Sequence, residues 1–427
     1  MREELLHFVW KYKKLRLMNM VTTKNEVLFI ENVGSHNHQS GPDFFNAKIQ
    51  IGNQLWAGNV EIHINSSDWY AHNHEQDEKY HNVILHVVWN EDRVVYRKDG
   101  SEIPTLELKN YLPKEILKNY QSLFDQRSKK FINCEKEIAN IDGFIIDNWL
   151  ERLYVERLET KSVLVNELLE SSKNDWEKVL FTLLLKNFGL NINGESFLSL
   201  AKALDFSIVR KLQRSQFQLE CILLGISGLL NDSSVLDPYY ATLQAEYGYM
   251  QKKFGLNKEA IQKPEFYKLR PANFPTIRLS QLANLYHKQQ NLFHLAMSAS
   301  CLEDLYNLFT ISASAYWDNH YTFGKESRKS KKVLTKKFMD LLIINTILPI
   351  KFCYSKHMGN RSNEEIFMII RKIRKEDNSI IGKFDRLGVK IKSAGDSQAV
   401  LQLYNGYCSN NKCLQCAIGG HLLNGNI

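Results

Sequence analysis

The sequence predicts an α+β protein: a mixed-sheet domain over residues 1–125 followed by a mainly helical domain over 126–427. Three observations predict it. Five short runs before residue 100 alternate apolar and polar side chains, with Gly, Asn, Asp and Ser turns between them. From Tyr111 onward, long segments instead repeat at helical period. Charge divides the same way: residues 1–125 hold 14 Lys+Arg against 17 Asp+Glu, so the overall +8 leaves +11 on the rest. At 427 residues, 44% hydrophobic and 24% charged, the chain can bury a full core.

The opening MREELLHFVWKYKKL spaces charges through an apolar pattern. It predicts an amphipathic helix over 3–17 and not the unbroken apolar core of a signal peptide. Strands are expected over 27–33, 43–51, 55–64, 83–89 and 93–97, and helices over 144–169, 175–188, 195–204 and 216–230. The proline-rich stretch 263–275, ending RPANFP, reads as an ordered connector before a helix over 280–286. The longest apolar stretches, 221–230 and 341–350, are shorter than the roughly 20 residues a bilayer crossing needs. Seven cysteines are an odd, unevenly spaced set, unlike the paired framework of a secreted domain. The expectation is a soluble, cytoplasmic protein with no membrane partner.

Chemistry concentrates between Gly34 and His86, which hold seven of the thirteen histidines. In the strand AGNVEIHI, a period of two puts Val60, Ile62 and Ile64 on one face and Asn59, Glu61 and His63 on the other. Asp43 stands eighteen residues before Glu61 with a Gly-Asn reversal between them, so a hairpin would bring the two acids together. Paired carboxylates repel each other unless a cation neutralises them, which makes Asp43 and Glu61 candidate ligands for Mg²⁺ or Mn²⁺.

A helix, a strand beginning Pro42-Asp43 and a strand carrying Glu61-x-His63 resemble the PD-(D/E)xK nuclease superfamily over about the first quarter of the chain. The resemblance implies that Asp43 and Glu61 hold the metal while phosphodiester bonds are hydrolysed. It also implies that His63 takes the place of the usual lysine, which orients water or stabilises the phosphate, and that Glu3 or Glu4 on the first helix assists. His63 departs from the pattern, and Lys48 should point away from Asp43. The blocks GPDF, GNVEIHINSSDW, YHNVILHVVW, RPANFP and CLQCAIG resemble an uncharacterised bacterial family that brings no activity with it.

Other signals stay open beside that reading. His36-x-His38 and His72-x-His74 each put two imidazoles on one face of an extended chain, a spacing that suits Zn²⁺ or Fe²⁺, so a metalloenzyme using the histidines is the alternative. A non-catalytic protein with a degenerate nuclease fold, binding nucleic acid or a partner, is the third. His72, His74 and His81 otherwise read as surface residues, His86 as a core histidine, and Ser66-Ser67 before Asp68-Trp69 as a helix cap. Cys408, Cys413, Cys416 and His421 are four potential ligands in fourteen residues for structural zinc. An iron–sulfur cluster there, as some related nucleases carry, needs another thiolate, Cys134 or Cys353. The basic run Lys325, Arg328, Lys329, Lys331, Lys332 follows Trp317, Tyr321 and Phe323, a composition suited to phosphate backbone and base stacking of DNA or RNA. On the helix over 144–169, Arg152, Arg157 and Lys161 alternate with Glu151, Glu156 and Glu159 and read as intrahelical pairs.

Overall fold

A computed structural model describes residues 2–37, 39–125, 130–256, 261–359 and 363–425. The architecture is α+β. The chain clusters into two compact units, one of Met1–Trp149, Leu387–Val389 and Leu403–Ile427, the other of Leu150–Arg386 and Lys390–Gln402. The cysteine-bearing tail therefore belongs with the sheet.

In the first unit, helix α1 (Glu3–Lys11) buries Leu5, Leu6, Phe8, Val9 and Trp10. It is shorter than its apolar pattern suggests, because Lys13 takes a left-handed backbone and ends the run. Strands β1 (Leu28–Asn32), β2 (Ser35–His36), β3 (Phe44–Ile51), β4 (Gln54–Asn65), β5 (Val83–Asn90) and β6 (Thr105–Glu107) make a mixed sheet ordered β1-β3-β4-β5-β6, with β2 also paired to β3. The pairs from β1 to β4 are antiparallel, while β4–β5 and β5–β6 are parallel. Residues 93–97 make only an isolated bridge, Tyr96 to Glu102; the sheet closes instead with β6, too short to announce itself in the sequence.

Two features of the β3–β4 hairpin place the acids. Gly52 supplies the left-handed turn residue between the strands. A bulge between Phe44 and Ala47, with Asn46 at φ 58°, breaks the alternation so that Phe44 and Ala47 are both buried. Beyond the bulge Lys48 pairs with Ala57 and so falls on the same face as Asp43 and Glu61, not on the opposite one that a regular strand would give, and it is exposed. Helix α1 packs on β4, and the short helix α2 (Asp68–Ala71) follows β4 and seats Trp69 in a cluster with Tyr80, Val83, Val95 and Ile103. Helix α3 (Lys114–Leu123) and the terminal helix Ala417–Asn424 pack together.

Helix α4 (Gly143–Ser171) contains the boundary between the units. The second unit is helical. Asp175 caps Trp176–Phe188 by accepting from the Lys178 N–H, and Asp237 caps Pro238–Phe254 by accepting from the Tyr240 N–H. One helical stretch among the described residues, Lys336–His357, is long and apolar enough to cross a bilayer, but its apolar window is 72% buried inside the protein. Pro349 lacks an N–H to donate back, and the turn ahead of it, Ile343–Ile347, widens to π geometry.

Candidate active site

Asp43 and Glu61 meet, as the hairpin reading expected. The Asp43 backbone N–H donates to Glu61 Oε2 (3.1 Å), and the Ile62 N–H donates to Asp43 Oδ2 (2.9 Å), so backbone groups of adjacent strands orient both carboxylates. Glu61 is 5% exposed. His63, two residues along the same face of β4, turns Nε2 to within 3.6 Å of Glu61 Oε1. Helix α1 supplies the next layer: His7 Nε2 lies 3.3 Å from Asp43 Oδ2 and 3.7 Å from Glu3 Oε1.

The loop after β4 folds back and adds imidazoles. His74 Nε2 reaches Glu61 Oε1 (3.2 Å), and His72 Nδ1 reaches His63 Nε2 (3.1 Å). On β5, whose register sets His86 opposite Glu61, His86 Nε2 shares a 2.8 Å hydrogen bond with His63 Nδ1. The loop is held from beneath: His74 stacks on Tyr80 at 3.8 Å between centroids and meets Trp69 edge-on. Ser66 and Ser67 do not cap α2; their hydroxyls donate to the Asp92 carboxylate and tie the end of β4 to the loop after β5.

The electrostatics follow from burial. Desolvation, reinforced by the Asp43 charge, pushes the Glu61 carboxyl up to about 9. Burial also raises Glu3. Burial works against a charged His7, but the hydrogen bond and charge of Asp43 outweigh it and hold this imidazole above its ordinary value. His63 is driven down to about 2 by burial and then by its neighbours His86, His74 and His72; His86 falls to about 3 by burial. His63 is thus a neutral imidazole where the nuclease pattern has a charged lysine.

Sequence reasoning missed His7, although Glu3-x3-His7 is a same-face spacing on a helix. It kept His72 and His74 only for the alternative metal reading and otherwise read them as surface residues; His72 is exposed, yet its Nδ1 points into the cluster. His36 instead stacks on Phe44 and neighbours His7, and His38 lies outside the described residues. His81 and Glu4 are exposed.

A second constellation sits in the same unit. Cys134, Cys408, Cys413 and Cys416 line one pocket with Leu123, Ile138, Leu403 and Ile418. His421 is not part of that lining, and Cys353 belongs to the other unit. Burial pushes the Cys134 thiol up to about 12 and raises the other three.

In the second unit, Lys325, Arg328, Lys329 and Lys331 are exposed on and after a hairpin of His320–Thr322 and Lys325–Glu326. Lys332 must be removed from that basic run. It is buried, its ammonium donating to Asp318 O, Ser330 O and Ser330 Oγ over the Tyr321 ring. Arg157 and Lys161 are not in intrahelical pairs either: they donate to Gln398 Oε1, and Lys161 also to Asn345 Oδ1.

An α+β protein with a buried acid–imidazole site on a mixed sheet is the class these features define. The chain belongs to the protein family of unknown function DUF2851, whose model matches residues 3–379. The matched span holds every residue of the acid–imidazole cluster; the CLQCAIG block lies beyond it. No curated protein and no solved structure matches the chain.

Proposed function

We propose that the acid–imidazole cluster is a metal-dependent centre that hydrolyses phosphodiester bonds of nucleic acid. The observation that carries the reading is the convergence of Asp43 and Glu61 on neighbouring strands with Glu3 and His7 reaching them from α1. The donor set suits a divalent cation such as Mg²⁺ or Mn²⁺: two carboxylates fixed by backbone N–H groups, one of them buried, with the buried His7 Nε2 3.3 Å from the other. Asp43 and Glu61 would hold the ion, with Glu3 and His7 next to them. When bound, such an ion supplies charge for a phosphate oxygen and lowers the pKa of water. The chain's own contribution is to keep the two carboxylates side by side and His63 oriented by His86. Lys325, Arg328, Lys329 and Lys331 are proposed contacts to the phosphate backbone.

The test is a cleavage screen over single- and double-stranded DNA and RNA with Mg²⁺ or Mn²⁺. Wild type should cleave at least one class, and Asp43→Ala and Glu61→Ala should each lose about two orders of magnitude or more in rate, the several kcal/mol expected of a metal ligand. Variants as active as wild type, or a wild type inactive on every substrate, would overturn the reading.

For the cysteine pocket we propose a structural metal site, zinc or an iron–sulfur cluster, held by Cys134, Cys408, Cys413 and Cys416. Zinc, iron and sulfide analysis of protein purified without oxygen, compared with Cys134→Ser, tests it; protein free of both metals would refute it.

A further inference from the structure

His63, His72 and His74 each present one ring nitrogen, and the three atoms lie within 4.8 Å of one another. His63 Nε2 and His72 Nδ1 are 3.1 Å apart, and Glu61 Oε1 stands 3.2 Å from His74 Nε2 and 3.6 Å from His63 Nε2. Those spacings match the edges of a coordination polyhedron. Nitrogen ligands about 2.0–2.1 Å from a metal in tetrahedral geometry are separated by about 3.3 Å.

The surroundings also have the form of a ligand set. With its Nδ1–H donating to His86 Nε2, His63 turns the lone pair of Nε2 into the cluster, which is how a second histidine fixes the tautomer of a metal-binding one. In that tautomer His63 Nε2 is an acceptor, accepting a hydrogen bond from His72 Nδ1–H in the metal-free protein or holding a cation in its place. His74 Nε2 is buried and has no hydrogen-bond partner, and its ring is clamped by Tyr80 and Trp69.

We propose that His63, His72 and His74, together with Glu61 Oε1, bind a first-row transition-metal ion, with Glu61 shared between this ion and the one held on the Asp43 side. Three imidazoles select zinc, iron or cobalt-like ions over magnesium. The sharing of Glu61 rests on the hydrolase reading above; the three-histidine site does not. It also accounts for His63: where the nuclease pattern puts a lysine's positive charge, this chain puts ligands for a cation.

The test measures metal and not activity. Metal-free full-length protein is titrated with Co²⁺, following its visible absorption, and protein as purified is analysed for zinc, iron and manganese. Wild type should bind one tight equivalent of Co²⁺. His72→Ala and His74→Ala should weaken it at least tenfold, while Asp43→Asn and His81→Ala should retain it. His72 is exposed, so His72→Ala should melt at the wild-type temperature and report on the site alone. The proposal is overturned if wild type takes up no Co²⁺, if both histidine variants bind as wild type does, or if Asp43→Asn abolishes binding. Tight Co²⁺ binding without cleavage of any nucleic acid would sink the hydrolase reading and leave this one standing; cleavage with unchanged Co²⁺ binding in His72→Ala and His74→Ala would do the reverse.

Discussion

Two glutamates, one in each unit, are buried on regular elements, and their surroundings differ in kind. Glu220, on the apolar helix Gln216–Ile226, accepts hydrogen bonds from Tyr239 OH, Ser314 Oγ and Trp317 Nε1 on one oxygen and from Ser280 Oγ on the other. Burial pushes its pKa up, and the four donors pull against it. Glu61 has one backbone donor, an adjacent carboxylate and imidazoles. A buried acid whose lone pairs are all answered within the protein holds elements together. One answered in part is poised for something from outside.

The largest expected effect breaks the comparison if it fails. Glu220→Gln turns an accepting oxygen into an NH₂ group and strands at least one donor, so the second unit should lose about 2–4 kcal/mol in denaturant unfolding. The isosteric Glu61→Gln should be neutral or stabilising in protein kept free of metal by a chelator, because it relieves a carboxyl that burial and Asp43 disfavour. Equal losses in the two variants would mean that Glu61 is as structurally committed as Glu220.

The pH dependence sharpens the same contrast. Glu61 titrates at about 9 in the folded chain against an ordinary 4.5. Its raised value means that the folded state holds the proton more tightly, so its contribution is fully present below pH 4.5 and is lost as pH rises through about 9. Melting of metal-free wild type between pH 5 and pH 10 should therefore decline more steeply than that of Glu61→Gln. Coincident profiles would remove the buried carboxyl as the cause.

How much of this was legible in the sequence depended on whether a residue's role is local. Asp43, Glu61 and His63 were, because a period-two strand and a Gly-Asn turn determine which side chains share a face and which strands pair. The α+β division was too, since periodicity changes sharply near residue 111. His72 and His74 were legible only as a spaced pair and not as neighbours of Glu61 and His63: their loop is polar and charged, and only the packing of His74 on Tyr80 and Trp69 turns it inward. His7 was hidden because α1 reads as an amphipathic helix whose function is packing. Cys134 stands 274 residues from Cys408, beyond any spacing rule. Lys332 looked like its neighbours in the basic run, and only the chain path around Asp318 and Ser330 buries it.

That last residue gives the smallest expected effect and carries the comparison from acids to bases. The Lys332 ammonium has three oxygen acceptors and an aromatic face, so it is satisfied in the way Glu220 is, and Lys332→Ala should destabilise the second unit by about 1–3 kcal/mol. Lys329→Ala and Lys331→Ala, at exposed positions, should change stability by less than about 0.5 kcal/mol. If the run contacts a phosphate backbone, these two should each reduce the salt dependence of nucleic-acid binding by about one counterion, measured as the slope of log affinity against log salt, whereas Lys332→Ala should leave the slope unchanged. A slope that falls with Lys332→Ala and not with the exposed pair would show that the satisfied cation, and not the free ones, meets the ligand. The rule that separates Glu61 from Glu220 would then fail for bases.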